Sequence, residues 1–256
     1  MIVRKNSKEL EHMRRSGLLV WNILQDLAKM VEEGVTTQDL EAAAEKMVKD
    51  AGARPAFKGY YTQAAGTKYP FVLCTSVNEE IVHGMPNPKR VLKNGDIVSI
   101  DTGVSLDGYY GDSAITVPVG EVSEQTKKLL QVTKESLELA IDKVRAGNRL
   151  FEVCGTVERH VKGNGFSIVR EYVGHGIGTQ LHEEPQVPNY VDRKNENPKL
   201  KPGMVLAVEP MVNAGKPDAM VLRDKWTAVT KDGSYSAHFE HCIAVTENGP
   251  WVLTRP

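Results

Sequence analysis

Five side chains able to ligate a cation, Asp101, Asp112, His175, Glu209 and Glu240, lie in five separate glycine-punctuated segments within the last two-thirds of the chain. Together they read as a metal site. Asp101 ends the apolar run Ile97-Val98-Ser99-Ile100, and Asp112 opens the next run after Tyr109-Tyr110-Gly111. Between them Leu106-Asp107-Gly108 is a hairpin turn signal. A loop from Ser105 to Gly108 makes residues 101 and 112 opposite partners; a two-residue Asp107-Gly108 turn makes them diagonal neighbours. Either register keeps both on one face. Two like charges that close call for a cation.

The same arrangement recurs in the second half. Leu92-Lys93-Asn94-Gly95, leading through Ile97 to Asp101, is matched by Leu200-Lys201-Pro202-Gly203, leading through Val205 to Glu209. Glu240 heads Cys242-Ile243-Ala244-Val245 much as Asp112 heads Ala114-Ile115-Thr116-Val117, and Ile81-Val82-His83-Gly84 is echoed by Tyr172-Val173-Gly174-His175-Gly176. The chain therefore looks like a diverged internal duplication.

The elements that must position these residues follow from periodicity. Asn6 or Ser7 with Glu9 marks a capping box, and Leu10, Met13, Leu18, Val20, Ile23, Leu24 and Leu27 form an apolar stripe ending before Gly34. Thr36 or Thr37 caps a second helix ending near Gly52. Ser123 caps a third, carrying Leu129, Leu130, Val132, Leu137, Leu139, Ile141 and Val144 toward Gly147. A shorter one runs through Val153, Val157 and Val161. Short β-branched runs fill the rest, so the expected class is α+β, with helices covering one face of a curved, mostly antiparallel sheet.

At 256 residues, 41% hydrophobic, the chain can bury a full core as one domain, 1–256, with halves of about 1–120 and 121–256. A net charge of −1 offers no footprint for nucleic acid or membrane. There is no bilayer-length apolar run, and the N-terminus leads into a charged helix, which points to a cytoplasmic protein. Cys74, Cys154 and Cys242 have no CxxC pairing and suit reduced thiols. With no heptad seam, the expected state is a monomer.

Six segments carry a resemblance: Ser76 to Gly84, Asp101 to Asp112, Gly174-His175-Gly176-Ile177-Gly178, His182-Glu183-Glu184-Pro185, Val208-Glu209-Pro210 and Phe239-Glu240-His241. In order and spacing they resemble the methionine aminopeptidases, in their short bacterial type I form, of the family that also holds prolidase and creatinase. The match runs over nearly the whole chain. It implies the pita-bread (creatinase/aminopeptidase) fold with two pseudo-symmetric αβ halves. It also implies removal of the initiator methionine from nascent polypeptides and small peptides, with transient ribosome association. The chain is expected to lack the zinc-finger extension of other forms, and the segment from His182 to Glu209 is short.

The resemblance places the ligands on Asp101, Asp112, His175, Glu209 and Glu240, and the chemistry agrees. Four carboxylates and one imidazole carry too much negative charge for one divalent ion and suit two, with Asp112 and Glu240 as bridging candidates. The oxygen-rich set points to Mn, Fe, Co or Zn in an open hydrolytic site. A metal-bridged hydroxide would attack the first peptide carbonyl, with Glu209 as proton shuttle. His182 is implied to donate to the scissile carbonyl or the tetrahedral intermediate, and His83 to reach the amide of the second residue. From residue type alone each would be a structural histidine; the matched Val-His-Gly and His-Glu-Glu-Pro contexts reverse that reading. His241 is expected to pack against or support the ligands, and His12 and His160 are structural.

Tyr69, Cys74, Leu181 and Trp226 match the positions that hold the methionine side chain, with Tyr60, Tyr61 and Phe71 nearby. Leu181 stands where an aromatic is frequent, and Lys58 to Lys68 is longer than the usual connection. Asn78 and Ser236 fall where some relatives bind a monovalent cation. Two rivals remain. A prolidase-like or X-Pro aminopeptidase usually carries an extra N-terminal domain, and a non-catalytic peptide- or ribosome-binding relative loses ligands.

Overall fold

The computed structural model describes residues 1–256. Helix α1, Ser7–Met30, begins at Asn6, whose side chain accepts from Lys8 and Glu9 N–H while Glu9 reaches back to the Asn6 N–H. This reciprocal cap satisfies donors that the first turn would otherwise leave open. Its buried face is Leu10, Met13, Ser16, Gly17, Val20, Ile23, Leu24 and Leu27. Leu18, expected in that stripe, is only half-buried. Gly17 takes the close contact instead, since a Cβ there would lie 2.3 Å from the Leu253 carbonyl.

Helix α2, Thr37–Asp50, is capped by Thr36 with Asp39. With α1 it packs Val20, Leu24, Leu27, Leu40 and Ala44 onto Leu73, Val98, Ile100 and Val104. Helix α3, Glu124–Ile141, is capped by Ser123, and α4 spans Leu150–Gly163. These cover the second half through Leu129, Val132, Leu137, Val153 and Val157 over Leu206, Val208 and Ile243. Two expectations for α3 need correction. It stops at Ile141, well short of Gly147, in tight turns where Lys143 and Val144 N–H donate to Ala140 and Ile141. Leu139 is 42% exposed, because the buried spacing 129, 132, 136, 137, 140 turns position 139 outward.

Every strand ladder is antiparallel. In the first half Ile97–Leu106 pairs with Leu73–Val77 and with Tyr109–Pro118. In the second, Gly174–Gly176 lies between Glu183–Val187 and Val205–Val208, and the latter pairs with His241–Thr246. The expected curved sheet is divided into several patches. Where the first-half hairpin meets the strands of the second half, hydroxyls stand in for ladder bonds: Thr116 Oγ1 bonds both the carbonyl and the N–H of His238, and Ser113 Oγ donates to the Glu240 carbonyl. Glu240 N–H donates to Ala114 O.

The internal repeat is visible in matched hydrogen bonds. Gly34 N–H donates to Leu92 O as Gly147 does to Leu200 O; Gly95 donates to Val119 O as Gly203 does to Val245 O. Both turn glycines adopt positive φ, 95° and 89°. Equivalent turns thus launch the two acid-bearing strands. No helix is long and apolar enough to cross a membrane.

Candidate metal centre

Asp107 and Gly108 have φ of 53° and 83°, so a two-residue turn joins Leu106 to Tyr109. Positive φ at both positions gives the twist that a tight hairpin requires, and it fixes the register. Asp101 faces Ala114 and Asp112 faces Gly103, which makes the two acids diagonal neighbours on one face. In the other half Val208 faces His241, so Glu209 and Glu240 are the next rung beyond the ladder. His175 pairs with Ala207 on one side and Gln186 on the other. Its flanking glycines allow this close sandwich: a Cβ on Gly174 would lie 2.3 Å from Ala207 O, and one on Gly176 would lie 2.2 Å from Glu184 O.

These five side chains converge. His175 Nδ1 donates to Gly176 O at 2.8 Å, which leaves the Nε2 lone pair free for a cation. That Nε2 is 3.6 Å from Glu209 Oε1 and 3.9 Å from Asp112 Oδ2. Ligand atoms of Asp112, His175 and Glu240 all fall within 4.8 Å of one another. Burial, reinforced by the neighbouring acids, holds the Asp101, Glu209 and Glu240 carboxyls well above their usual range, and burial pushes Asp112 up to about 7. Burial pushes His175 down to about 3.

Asp101 Oδ1, Asp112 Oδ1, Glu240 Oε1 and His238 Nε2 are buried without a hydrogen-bond partner. Orphaned carboxylate oxygens in this number are costly unless a cation meets them. The donor set therefore fits divalent metal.

His238 joins the cluster without being among the residues the motifs point to. Its Nε2 lies 3.8 Å from Glu209 Oε2. His241 bonds Thr254 Oγ1 at 2.8 Å. The three cysteines are free and buried, and Cys242 Sγ donates to Asp112 O.

His83, at φ 60°, presents its ring edge-on to Tyr172 and Trp226. Burial, then the nearby His182, pushes its pKa down to about 4. His182 stands at the mouth of the site, 4.3 Å from the His175 ring between centroids, and Tyr60 Oη approaches its Nδ1 to 2.6 Å. Desolvation lowers its pKa. The turn bearing His182 is tied from below by Lys5 Nζ to Glu183 Oε2 at 2.6 Å, a pair with side chains only 3% and 8% exposed. Glu183 Oε1 also accepts from Gln180 N–H. No local pattern announces a contact between residues so far apart in the chain.

Beside the acids is a cavity of about 190 Å³ lined by Tyr69, Cys74, Leu181 and Trp226, together with Phe57, Tyr60 and Thr62. Tyr61, 57% exposed, and Phe71 lie outside it. No motif marks Phe57 or Thr62. The long Lys58–Lys68 connection folds as its own hairpin, Tyr61–Thr62 against Thr67–Lys68. Gly59 N–H donates to Tyr69 O, and Tyr69 N–H to Tyr60 O, so the extra residues project outward and Tyr60 and Tyr69 stay neighbours on the cavity wall. Asn78 and Ser236 are adjacent, Ser236 N–H donating to Asn78 O at 2.8 Å.

Metallopeptidase family M24 matches residues 11–247. Methionine aminopeptidase 1 of Bacillus subtilis is 49% identical over 255 residues, 100% of each chain. Methionine aminopeptidase of Clostridium acetobutylicum is 46% identical over 254 residues, 99% of each. Among solved structures, methionine aminopeptidase from Thermotoga maritima has a TM-score of 0.94 at 45% identity and 100% coverage of both chains. Prolidase from Pyrococcus furiosus is 22% identical with a TM-score of 0.75, covering 99% of this chain and 66% of its own; that likeness shows a common fold alone.

Proposed function

This chain belongs to metallopeptidase family M24, and from that premise we propose that it is a hydrolase removing N-terminal methionine from polypeptides whose second residue is small. The observation that carries the proposal is a set of four buried or half-buried acids with His175 and orphaned oxygens, beside an apolar cavity. A thioether suits a wall of aromatic edges and a thiol.

We assign Asp101, Asp112, His175, Glu209 and Glu240 to two divalent ions, Mn, Fe, Co or Zn. Those ions would supply Lewis-acid polarisation of the first peptide carbonyl and acidify a water molecule there. The chain's own groups do the rest. Glu209 takes the proton released by the attacking water and returns it to the leaving amine. His182 donates to the carbonyl oxygen as charge develops on it, which counts most in a desolvated site. His83 holds the amide of the second residue. The second residue sits beside His83 in a narrow space that suits Ala, Gly, Ser, Thr, Val, Pro or Cys and not Lys, Glu or Phe.

We further infer one catalytic domain with halves of about 1–120 and 121–256, supported by the matched helix pairs and turns. A cytoplasmic monomer meeting nascent chains at the ribosome accords with that substrate class. At Asn78, one carbonyl lone pair is taken by Ser236 N–H, and the other is open to a monovalent cation. Neither the prolidase-like nor the non-catalytic reading is favoured, since all five ligand candidates line one cavity and the prolidase likeness extends to the fold alone. Metal analysis of the purified protein with turnover of Met-Ala-Ser against Ala-Pro-Ser tests the reading. Bound metal with preferred release of methionine is expected; preferred cleavage of the Ala-Pro bond would overturn it.

A further inference from the structure

We propose that Tyr60 is a positioning residue for His182, its phenol donating to Nδ1 and holding the imidazole in the tautomer that carries its proton on Nε2. The contact is short, 2.6 Å from Oη to Nδ1, with the rings edge-on at 5.1 Å between centroids. Direction matters here. A neutral imidazole has one N–H and one lone pair, and the partner of the first nitrogen decides what the second can do. If Tyr60 donates, Nε2 is an N–H donor able to meet a carbonyl oxygen gaining charge. If Tyr60 accepted instead, Nε2 would present a lone pair and could not stabilise that oxygen. Burial raises the Tyr60 pKa, so the phenol keeps its proton and can donate.

Tyr60 is held by backbone bonds and His182 by a side-chain tie beneath its turn. Tyr60 N–H donates to Phe57 O at 2.8 Å, and Tyr60 O accepts from Tyr69 N–H at 2.8 Å, at the foot of the extra hairpin. His182 is fixed from the opposite side by the buried Lys5–Glu183 pair beneath its turn. The Tyr60–His182 bond thus crosses the cavity mouth between two independently anchored segments. Preorganisation of this kind removes reorientation from the chemical step.

The proposal rests on the reading of His182 as a donor to the scissile carbonyl, so its test needs a readout that does not depend on peptidase activity. The experiment is nitrogen-15 NMR of ring-labelled histidines in the metal-free and metal-loaded protein, with the His182 signals assigned by His182→Asn. Wild type and Tyr60→Phe, which keeps the ring that walls the cavity, are compared at one pH, and both are assayed on Met-Ala-Ser. The expected result is the Nε2–H tautomer in wild type and a mixture of tautomers in Tyr60→Phe. The variant's kcat should fall about 2- to 10-fold, the scale of one neutral hydrogen bond, with KM little changed. An Nδ1–H tautomer in wild type, an unchanged spectrum in the variant, or an altered spectrum with unchanged kcat would each overturn the proposal. The expected tautomer change in a protein that fails to cleave Met-Ala-Ser even as wild type would support the Tyr60–His182 bond and count against the peptidase reading alone.

Discussion

The two halves of the chain deliver their acids by different means. In the first half a single hairpin with ten-residue strands carries Asp101 and Asp112, and one two-residue turn sets their relation. In the second, Glu209 and Glu240 flank the open end of a ladder whose strands are separated by a long excursion through two further sheets. A local device and a long-range one converge on the same cluster. The difference teaches that a repeat can conserve the geometry of a site while the means of enforcing it diverge, with Ser113 and Thr116 stitching the halves together.

The largest test is to remove one acid from each half. Asp101→Asn and Glu240→Gln should each reduce methionine release to background and lower the bound metal below two ions, with metal supplied in excess. If only one variant failed, the halves would not contribute equally and the comparison would break. His182→Ala should retain its metal and lose about 10²–10³ in kcat, the cost of one donor to a developing oxyanion. A normal kcat would return His182 to a structural role.

A smaller effect is expected at the tie beneath His182. Lys5→Met should cost about 3–5 kcal/mol in urea unfolding, because Glu183 would be left as an unpaired buried charge. It should also lower kcat severalfold as the His182 turn loosens. Lys5→Met with Glu183→Met should recover most of the stability without the lost rate. Recovery of both would show that Lys5 acts on stability alone.

The smallest contrast is in pH dependence. Glu41 on α2 and Glu158 on α4 both accept backbone N–H groups from the segments they brace, Val72 and Leu73 for Glu41 and Val191 for Glu158. Burial raises the Glu41 pKa despite those bonds. For Glu158 burial also acts upward, but bonds from Lys162 and the Val191 N–H, with Arg170 nearby, outweigh it and the pKa is lowered. The signs are opposite. As pH rises from 4.5, native Glu41 retains a proton that the unfolded chain has released, so its contribution to stability falls through the raised pKa. Glu158 contributes stability above the unfolded value, and this is lost as pH falls through its depressed pKa. Glu41→Gln should flatten the first dependence and Glu158→Gln the second, read as the difference from wild type in unfolding free energy across the acid range. Slopes of the same sign would contradict this contrast.

The same contrast between local and long-range devices governs how much of the molecule is legible in its sequence. Asp101 and Asp112 are legible because the Asp107-Gly108 turn is encoded within a few residues, although turn chemistry alone leaves two registers open. Glu209 and Glu240 are legible only through their likeness to the first pair. The four helices are legible from caps and stripes; the early end of α3 is not, because periodicity carries on past the point where Asp142 and Lys143 turn. Lys5–Glu183, Tyr60–His182 and His238–Glu209 are invisible in the sequence, since each joins segments whose proximity exists only after the sheets have packed. The cavity is partly legible. Tyr69, Cys74, Leu181 and Trp226 line it as expected, while Phe57 and Thr62 are brought in by the outward hairpin.

The central claim is that acids from both halves, with His175, form one two-metal site that releases methionine. The most direct measurement is a titration of the chelator-treated protein with Mn²⁺ or Co²⁺, following bound metal and methionine release from Met-Ala-Ser in the same samples. The account predicts no turnover without metal, activity that grows with occupancy, and saturation at two ions per chain. Full activity in the metal-free protein, or saturation by two ions with Met-Ala-Ser left intact, would contradict it.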